Sequence, residues 1–245
     1  MIQIARVTLP PPTVDRLSEL TDKIAAVRPA ERVGSARALW RSNSAVKGML
    51  REALAVMAPG VQRCMYCGDS LGADIDHFDP LSRTPLRTFD WPNHLLACSV
   101  CNSHHKRNLF PVDERGRPLL IDPTREDPFD HLMLSLSVGE YRATTPKGIA
   151  TITVFGLNRP LLVRGRQQAR RVVVASLRNW SAARAAANET DMDEAILTIR
   201  EQPFADVGHA MLRQASVPRA DLIFGRDRDV LPTLRDPDLR SRLIP

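Results

Sequence analysis

Two closely spaced pairs of cysteines constrain this chain more than any other feature of its sequence. They stand as Cys64-Met-Tyr-Cys67 and Cys98-Ser-Val-Cys101, and the 245 residues contain no further cysteine. Two C-x2-C pairs supply four thiolates, which is the number that a tetrahedral Zn²⁺ takes in a closed structural site. We therefore predict a structural zinc site, with an iron centre held by the same four thiolates as the alternative.

The segment between the two pairs carries further chemistry. It contains Asp74-Ile-Asp76-His77 and later Asn93, and Asn102 directly follows the last cysteine. The order C-x2-C, Asp-His, Asn, C-x2-C-Asn resembles the zinc-bearing HNH endonucleases, a branch of the ββα-metal (His-Me finger) nucleases. The resemblance implies an α+β fold in which two strands and a short helix form the nuclease core, at about residues 73–78, 95–98 and 100–107.

The same resemblance implies a metal-dependent endonuclease that hydrolyses DNA phosphodiester bonds. It assigns His77 as the general base, Asp76 and Asn102 as ligands of a catalytic Mg²⁺ or Mn²⁺, and Asn93 as the residue that orients the loop and His77. An imidazole suits proton transfer near neutral pH, and Mg²⁺ prefers oxygen ligands. Adjacent strand residues face opposite sides of a sheet, so the joint use of Asp76 and His77 rests on the resemblance alone.

Two other classes of function remain open at this point. A non-catalytic zinc-ribbon module that binds DNA would need the four cysteines but none of Asp76, His77 and Asn102. A redox iron protein would use the same thiolates and would be coloured, whereas a zinc protein is colourless. The presence of all three polar residues favours the nuclease.

The charge of the chain indicates a polyanionic partner, for which we expect DNA. Lys and Arg number 34 against 28 Asp and Glu, a net charge of +6. Residues 141–188 contain no acid, and Arg164, Arg171 and Arg178 recur there every seven residues, on one face of a predicted helix. In the resembling enzymes a His or Lys one turn past Asn102 contacts metal or phosphate, commonly in the spacing Asn-x-x-Lys. Here His105, Lys106 and Arg107 are the candidates.

The remaining pattern predicts a mainly helical chain in three parts. Residues 1–60 form an N-terminal helical segment, 61–125 the nuclease core, and 126–245 a strand and helical extension. Apolar spacing predicts helices at 13–28, 30–58, 160–186, 190–201 and 204–215, and the alternating residues Ile149–Phe155 predict a strand. The tail from Val217, rich in Asp, Arg and Pro, is expected to be irregular.

The sequence contains no apolar run of membrane-spanning length and no apolar segment typical of a secretion signal near Met1. We therefore expect a cytoplasmic protein with reduced cysteines and no membrane partner. Runs after the predicted core are similar to those of stand-alone bacterial HNH proteins, some of which are anti-phage defence effectors. That resemblance implies a protein partner such as an ATPase or a sensor; the sequence indicates no oligomeric state.

Overall fold

Helices make up most of the chain in the computed structural model, which describes residues 1–243. The α-helices are α1 (Pro11–Ala25), α2 (Arg32–Ser42), α3 (Ser44–Met57), α4 (Pro146–Phe155), α5 (Pro160–Ala185), α6 (Glu189–Glu201), α7 (Ala205–Gln214), α8 (Ala220–Phe224), α9 (Leu231–Arg235) and α10 (Pro237–Leu243). The strands are β1 (Asp74–His77), β2 (His94–Ala97), β3 (Leu132–Leu134) and β4 (Tyr141–Ala143). The mainly helical α+β class predicted from the sequence is confirmed.

The four strands form two small antiparallel sheets. In the first, β1 pairs with β2, so that Asp74 lies opposite Ala97 and His77 lies opposite His94. In the second, β3 pairs with β4. A helical segment, Val100–Lys106, follows β2 with the wide i to i+5 hydrogen-bond pattern of a π-helix. Two strands and a helix thus occur where the sequence predicted them.

The predicted long helix at 30–58 is divided into two. Asn43 leaves the helical region, with φ −99° and ψ 67°, and its side-chain Nδ2 donates to the carbonyl oxygen of Leu39 at 2.8 Å. Asn forms such local side-chain bonds readily and so competes with helix continuation. The result is a unit of three helices, α1 to α3, with its own apolar core that includes Leu20, Leu50 and, from the loop before β2, Phe89.

The strand predicted at Ile149–Phe155 is wrong, because this segment is the helix α4. Thr145 caps its first turn by accepting a hydrogen bond from the backbone N–H of Gly148 at 3.2 Å, and Pro146 occupies the first helical position. Gly156 closes the other end with φ 57°, the left-handed conformation that glycine adopts without strain. These two end signals outweigh the β-branched residues between them.

The irregular tail predicted after Val217 is also wrong, because three short helices and a 3₁₀ turn fill it. Phe224, Val230, Leu234 and Leu239 from this segment are at most 1% exposed. The oxygen Oδ1 of Asp236 accepts from the first N–H groups of α10, which caps that helix. Burial of apolar side chains therefore organises a segment whose polar composition suggested a loop.

A second, larger core joins the cysteine region to the C-terminal helices. A fully buried ion pair crosses it: Nε of Arg166 lies 3.2 Å from Oδ2 of Asp206, and both side chains are completely shielded from solvent. Arg166 also donates to two backbone carbonyl oxygens, those of Gly139 and Leu157. This core also includes Met1, Ile4 and Leu54, so it spans all three predicted parts, and the divisions at residues 60 and 125 stay predictions. No helix among residues 1–243 is long and apolar enough to cross a membrane.

Candidate functional site

The four cysteine sulfurs meet in one buried cluster. All four Sγ atoms lie within 4.8 Å of one another, and none of these cysteines forms a disulfide. The Sγ atoms of Cys67 and Cys98, one from each pair, are 3.9 Å apart. Four Zn–S bonds of about 2.3 Å in a tetrahedron place the sulfurs about 3.8 Å apart. The cluster therefore fits a zinc ion, and the predicted ligand set is brought together in full.

Local backbone geometry explains why the two pairs converge. The N–H of Gly68 donates to the carbonyl oxygen of Cys64 at 2.9 Å, and Gly68 has φ 71°, so the first turn closes tightly around the sulfurs. In the second pair, the N–H of Cys101 points at Sγ of Cys98 at 3.4 Å. The N–H of Met65 donates to the carbonyl oxygen of Leu96 at 2.9 Å, which joins the first turn to β2.

The four sulfurs are also close enough to influence one another's charge. Burial raises the pKa of the Cys64 thiol well above its ordinary value, whereas hydrogen bonds from the neighbouring thiols, Cys101 first, lower the pKa of Cys67. Four thiolates this close repel one another unless a divalent cation lies between them. A bound metal ion would remove this difference between the pKa values of the thiols and make all four sulfurs equivalent ligands.

Asp76 belongs to β1, and its buried carboxylate lies on the face of the strand that is turned toward the π-helix. Its Oδ1 accepts from Nζ of Lys106 at 2.8 Å, and its Oδ2 accepts from the hydroxyl of Tyr66. Nζ of Lys106 also donates to the carbonyl oxygen of His77 at 2.6 Å, and Lys106 is 0% exposed. Lys106 was one of the candidates for a contact with metal or phosphate, and the structure instead buries it against Asp76.

The π-helix explains how Lys106 reaches that position. Lys106 follows Asn102 by four residues, one more than the spacing common in the resembling enzymes. The N–H of Arg107 donates to the carbonyl oxygen of Asn102 at 2.7 Å, an i to i+5 bond that absorbs an extra residue within one turn. The wider turn brings the Lys106 side chain back under β1. Its neighbour Arg107, also expected to contact nucleic acid, remains exposed.

The expected Mg²⁺ or Mn²⁺ ligands do not form an open pair. The side-chain amide of Asn102 points at Asp74, with Nδ2 3.4 Å from Oδ2. Both oxygens of Asp76 are already engaged, and the position beside Oδ1 is filled by the Lys106 ammonium group. A Mg²⁺ ion needs oxygens at about 2.0–2.1 Å and keeps several waters. The residues as they stand therefore fit zinc at the cysteines but do not fit a divalent ion on Asp76 and Asn102.

His77 lies on the opposite face of β1, where its ring is held in one orientation. Its Nε2 lies 3.0 Å from the carbonyl oxygen of Thr88, and Nε2 of His94 lies 2.9 Å from the same oxygen. A carbonyl oxygen only accepts, so both rings carry their proton on Nε2. Nδ1 of His77 then holds a free lone pair, has no partner among the described residues, and is not sealed from solvent as Nδ1 of His94 is.

Asn93 fixes the loop that presents the Thr88 carbonyl group. Its Nδ2 donates to the carbonyl oxygens of Asp79 and Arg87 at 3.0 Å each, and its Oδ1 accepts from the N–H of Asp79 at 2.8 Å. Asn93 is completely buried. These three bonds join the two ends of the loop between β1 and β2. The side chain is therefore placed to orient His77 indirectly, through the loop.

Burial sets the electrostatics around His77. Desolvation lowers the pKa of His77 below its ordinary value of 6.5, against the opposing hydrogen bond to Thr88, and it lowers the pKa of His94 much further. The indole ring of Trp40, from α2, meets the His77 ring edge to face at 4.4 Å and stacks on His94 at 5.5 Å. Sequence reasoning missed Trp40 as part of the site, because its only signal was a place on the inner side of a helix.

The other predicted nucleic-acid contacts differ in their surroundings. His105 packs against Gly156, where an added Cβ would lie 2.6 Å from the ring. Arg164 and Arg171 lie exposed on α5 as expected. Arg178 on the same helix forms ion pairs with Asp229 at 2.7 Å and Asp227 at 3.3 Å, from the tail. The acid-free segment is therefore partly neutralised by carboxylates from outside it.

Comparison with known proteins gives one informative similarity. The chain is similar to the Septu protein PtuB of Bacillus mycoides strain KBAB4, with 27% identity over 127 aligned residues. The alignment covers 40% of this chain and 43% of PtuB, so the chain spans less than half the length of that relative. Neither a protein-family model nor a solved structure matches the chain.

We predict that the purified protein contains one zinc ion per chain and that Cys64→Ser abolishes it. Structural zinc sites contribute about 10–16 kcal/mol in peptides, as much as the stability of a whole domain. The variant should therefore lose its cooperative thermal transition together with its metal. Elemental analysis and thermal denaturation measure the two effects, and a stoichiometric iron content with a coloured protein would contradict the zinc assignment.

We predict that Lys106→Met lowers the free energy of unfolding by about 3–5 kcal/mol, because Asp76 then keeps a buried charge without a partner. Urea denaturation measures the loss. The neighbouring exposed substitution Arg107→Met is the matched control and should change stability by no more than about 0.5 kcal/mol. Adding Asp76→Asn to Lys106→Met should recover part of the loss. Equal, small effects of Lys106→Met and Arg107→Met would show that the pair contributes little.

Proposed function

We propose that this chain is an endonuclease of the HNH type that hydrolyses phosphodiester bonds of DNA, with His77 as the general base. The observation that carries the proposal is the state of the His77 ring. Its Nε2–H is fixed on the Thr88 carbonyl oxygen, and its Nδ1 has no hydrogen-bond partner among the described residues and is not fully sealed from solvent. A base held by one ring nitrogen and free at the other is the arrangement that general base catalysis needs.

The proposed reaction moves one proton and breaks one bond. Nδ1 of His77 accepts a proton from a water molecule, and the water oxygen forms a bond to phosphorus. The bond from phosphorus to the 3′-oxygen breaks, and that oxygen leaves with a proton from solvent. The products are the 5′-phosphate and 3′-hydroxyl ends that the HNH resemblance implies.

Asp76 has a positioning part in this proposal. Its ion pair with Lys106 lets the ammonium group also bind the carbonyl oxygen of His77, which fixes the backbone of the base. The Mg²⁺ or Mn²⁺ expected on Asp76 and Asn102 does not enter the proposal, because Lys106 and Tyr66 engage both oxygens of Asp76. Zinc at the four cysteines would supply rigidity to the turns that flank this site.

We also propose that the protein serves in defence against phage. The similarity to a Septu protein supports this role, as does the resemblance to stand-alone HNH effectors. For this role we also expect a protein partner, such as an ATPase or a sensor. The low exposure of His77, 8%, favours as a second candidate a zinc-bearing module that binds DNA without cutting it.

We predict that the zinc-loaded protein nicks supercoiled plasmid and that His77→Ala reduces the rate by at least about 100-fold, the lower range for removal of a general base. Agarose gels with Mg²⁺, Mn²⁺ and EDTA measure cleavage and its dependence on a divalent ion. His104→Ala, an exposed histidine outside the site, is the control for purification. If both variants cut equally, either the activity is a contaminant or His77 is not the general base; retarded but intact plasmid would support the binding module.

We predict a single rising limb in the pH dependence of nicking, with a midpoint below 6.5. Burial lowers the pKa of His77, and only the neutral ring accepts a proton, so the active form is lost as the pH falls through that value. Initial rates between about pH 5 and pH 8 test this expectation for a histidine base. A midpoint above 6.5 would contradict the assignment of His77 in its buried environment.

A further inference from the structure

The helix α2, which contacts the proposed base through Trp40, carries two exposed arginines. Trp40 of α2 contacts the His77 ring, with 4.4 Å between ring centroids. Arg41 follows Trp40 directly, and Arg37 lies one helical turn before Arg41. Residues four apart lie on the same face of a helix, so Arg37 and Arg41 form one surface that borders the side chain touching His77.

This surface belongs to a second segment without acids. Residues 32–51 contain five basic residues and no Asp or Glu. Three of the five bind backbone carbonyl oxygens: Arg32 that of Ala25, Lys47 that of Arg41, and Arg51 that of Ala73.

Arg37 and Arg41 differ from those three residues. Both are exposed, and their side chains form no hydrogen bond or ion pair with any residue between 1 and 243. Two arginines that the protein does not use internally are thus available to a ligand outside it.

Several other arginines are neutralised by carboxylates, and Arg37 and Arg41 differ from the remaining exposed arginines in that their helix contacts His77. Arg16 and Arg28, in the same N-terminal unit, are neutralised by Glu19 and Glu31. On α5, where the sequence predicted the DNA contacts, Arg178 is neutralised by Asp229 and Asp227. Arg37 and Arg41 have neither form of compensation, and a direct contact links their helix to the proposed base.

We propose that Arg37 and Arg41 bind backbone phosphates of duplex DNA and thereby hold the strand beside His77. The proposal rests on the proposed function, because it takes DNA as the substrate. Guanidinium groups bind phosphate oxygens with two parallel hydrogen bonds, and such contacts position a duplex without reading its sequence. Trp40 then connects two parts of the site: the surface formed by Arg37 and Arg41, which binds the DNA strand, and the His77 ring, which acts on that strand.

The test is binding of a short fluorescent DNA duplex to the full-length, zinc-loaded protein, measured by anisotropy at several salt concentrations. The double variant Arg37→Ala/Arg41→Ala should weaken binding at least about tenfold at low salt. It should also reduce the slope of log K against log salt by about 1.8, which is about 0.9 for each phosphate that is no longer neutralised. Lysine at both positions should restore most of the slope, because an ammonium group still neutralises a phosphate.

The double variant Arg16→Ala/Arg28→Ala is the matched control, since it removes the same formal charge from the same helical unit. It should change affinity less than twofold. Equal reductions of affinity in both double variants would overturn the proposal in favour of a general charge effect, and so would unchanged binding by Arg37→Ala/Arg41→Ala. Tighter binding of an RNA duplex than of the DNA duplex would overturn the choice of DNA.

Plasmid nicking by the same proteins separates this proposal from the proposed function. If the wild-type protein never cuts but binding depends on Arg37 and Arg41, the surface is supported and the nuclease is not. If the wild-type protein cuts and the Arg37→Ala/Arg41→Ala variant binds and cuts equally well, the nuclease stands and the surface is overturned. Zinc content and circular dichroism confirm that each variant is folded.

Discussion

Convergence of the four cysteines on one point is the constraint on which the rest of the site depends. The two pairs are thirty residues apart in the chain, yet their sulfurs lie within 4.8 Å of one another. Closing that loop loses chain entropy, which a bound metal ion offsets because it binds only the assembled ligands. Once the pairs meet, the bond from Met65 to Leu96 places the first turn on β2, and Tyr66 within that turn reaches Asp76.

The buried ion pair of Lys106 and Asp76 then fixes the part of the site that the metal-binding turns do not hold. Lys106 and Asp76 are both shielded from water, so each needs the other, and breaking such a pair is far more costly than its net contribution to stability. The geometry this imposes is narrow: the ammonium group must reach Asp76 and the carbonyl oxygen of His77 together. Any other position of the Lys106 side chain would leave a buried charge without a partner. This penalty holds a flexible side chain in one position. The wide turn of the π-helix accommodates the additional residue between Asn102 and Lys106, so that Lys106 reaches Asp76.

Features of this structure that neighbouring residues determine were easier to predict from the sequence than features that depend on residues distant in the chain. The cysteine cluster was predicted from two short patterns in the chain, and the strands beside Asp76 and Asn93 were implied by the resemblance that such patterns carry. The strand expected at Ile149–Phe155 failed because β-branched residues were weighed above the caps at Thr145 and Gly156. The pairing of Lys106 with Asp76 was not predicted, because Asp76 lies thirty residues earlier in the sequence. The partners of Arg178 are still more distant in the chain.

The two faces of β1 explain why the site needs more than the cysteine-rich segment. Asp76 points toward the π-helix, while His77, one residue later, points toward α2. The zinc-binding turns organise only the first face. On the second face, the His77 ring lies between the loop carbonyl of Thr88 and the indole of Trp40, which belongs to the N-terminal helical unit. That unit is therefore part of the environment of the proposed base, because without it the ring of His77 would lose the wall that lowers its pKa by burial.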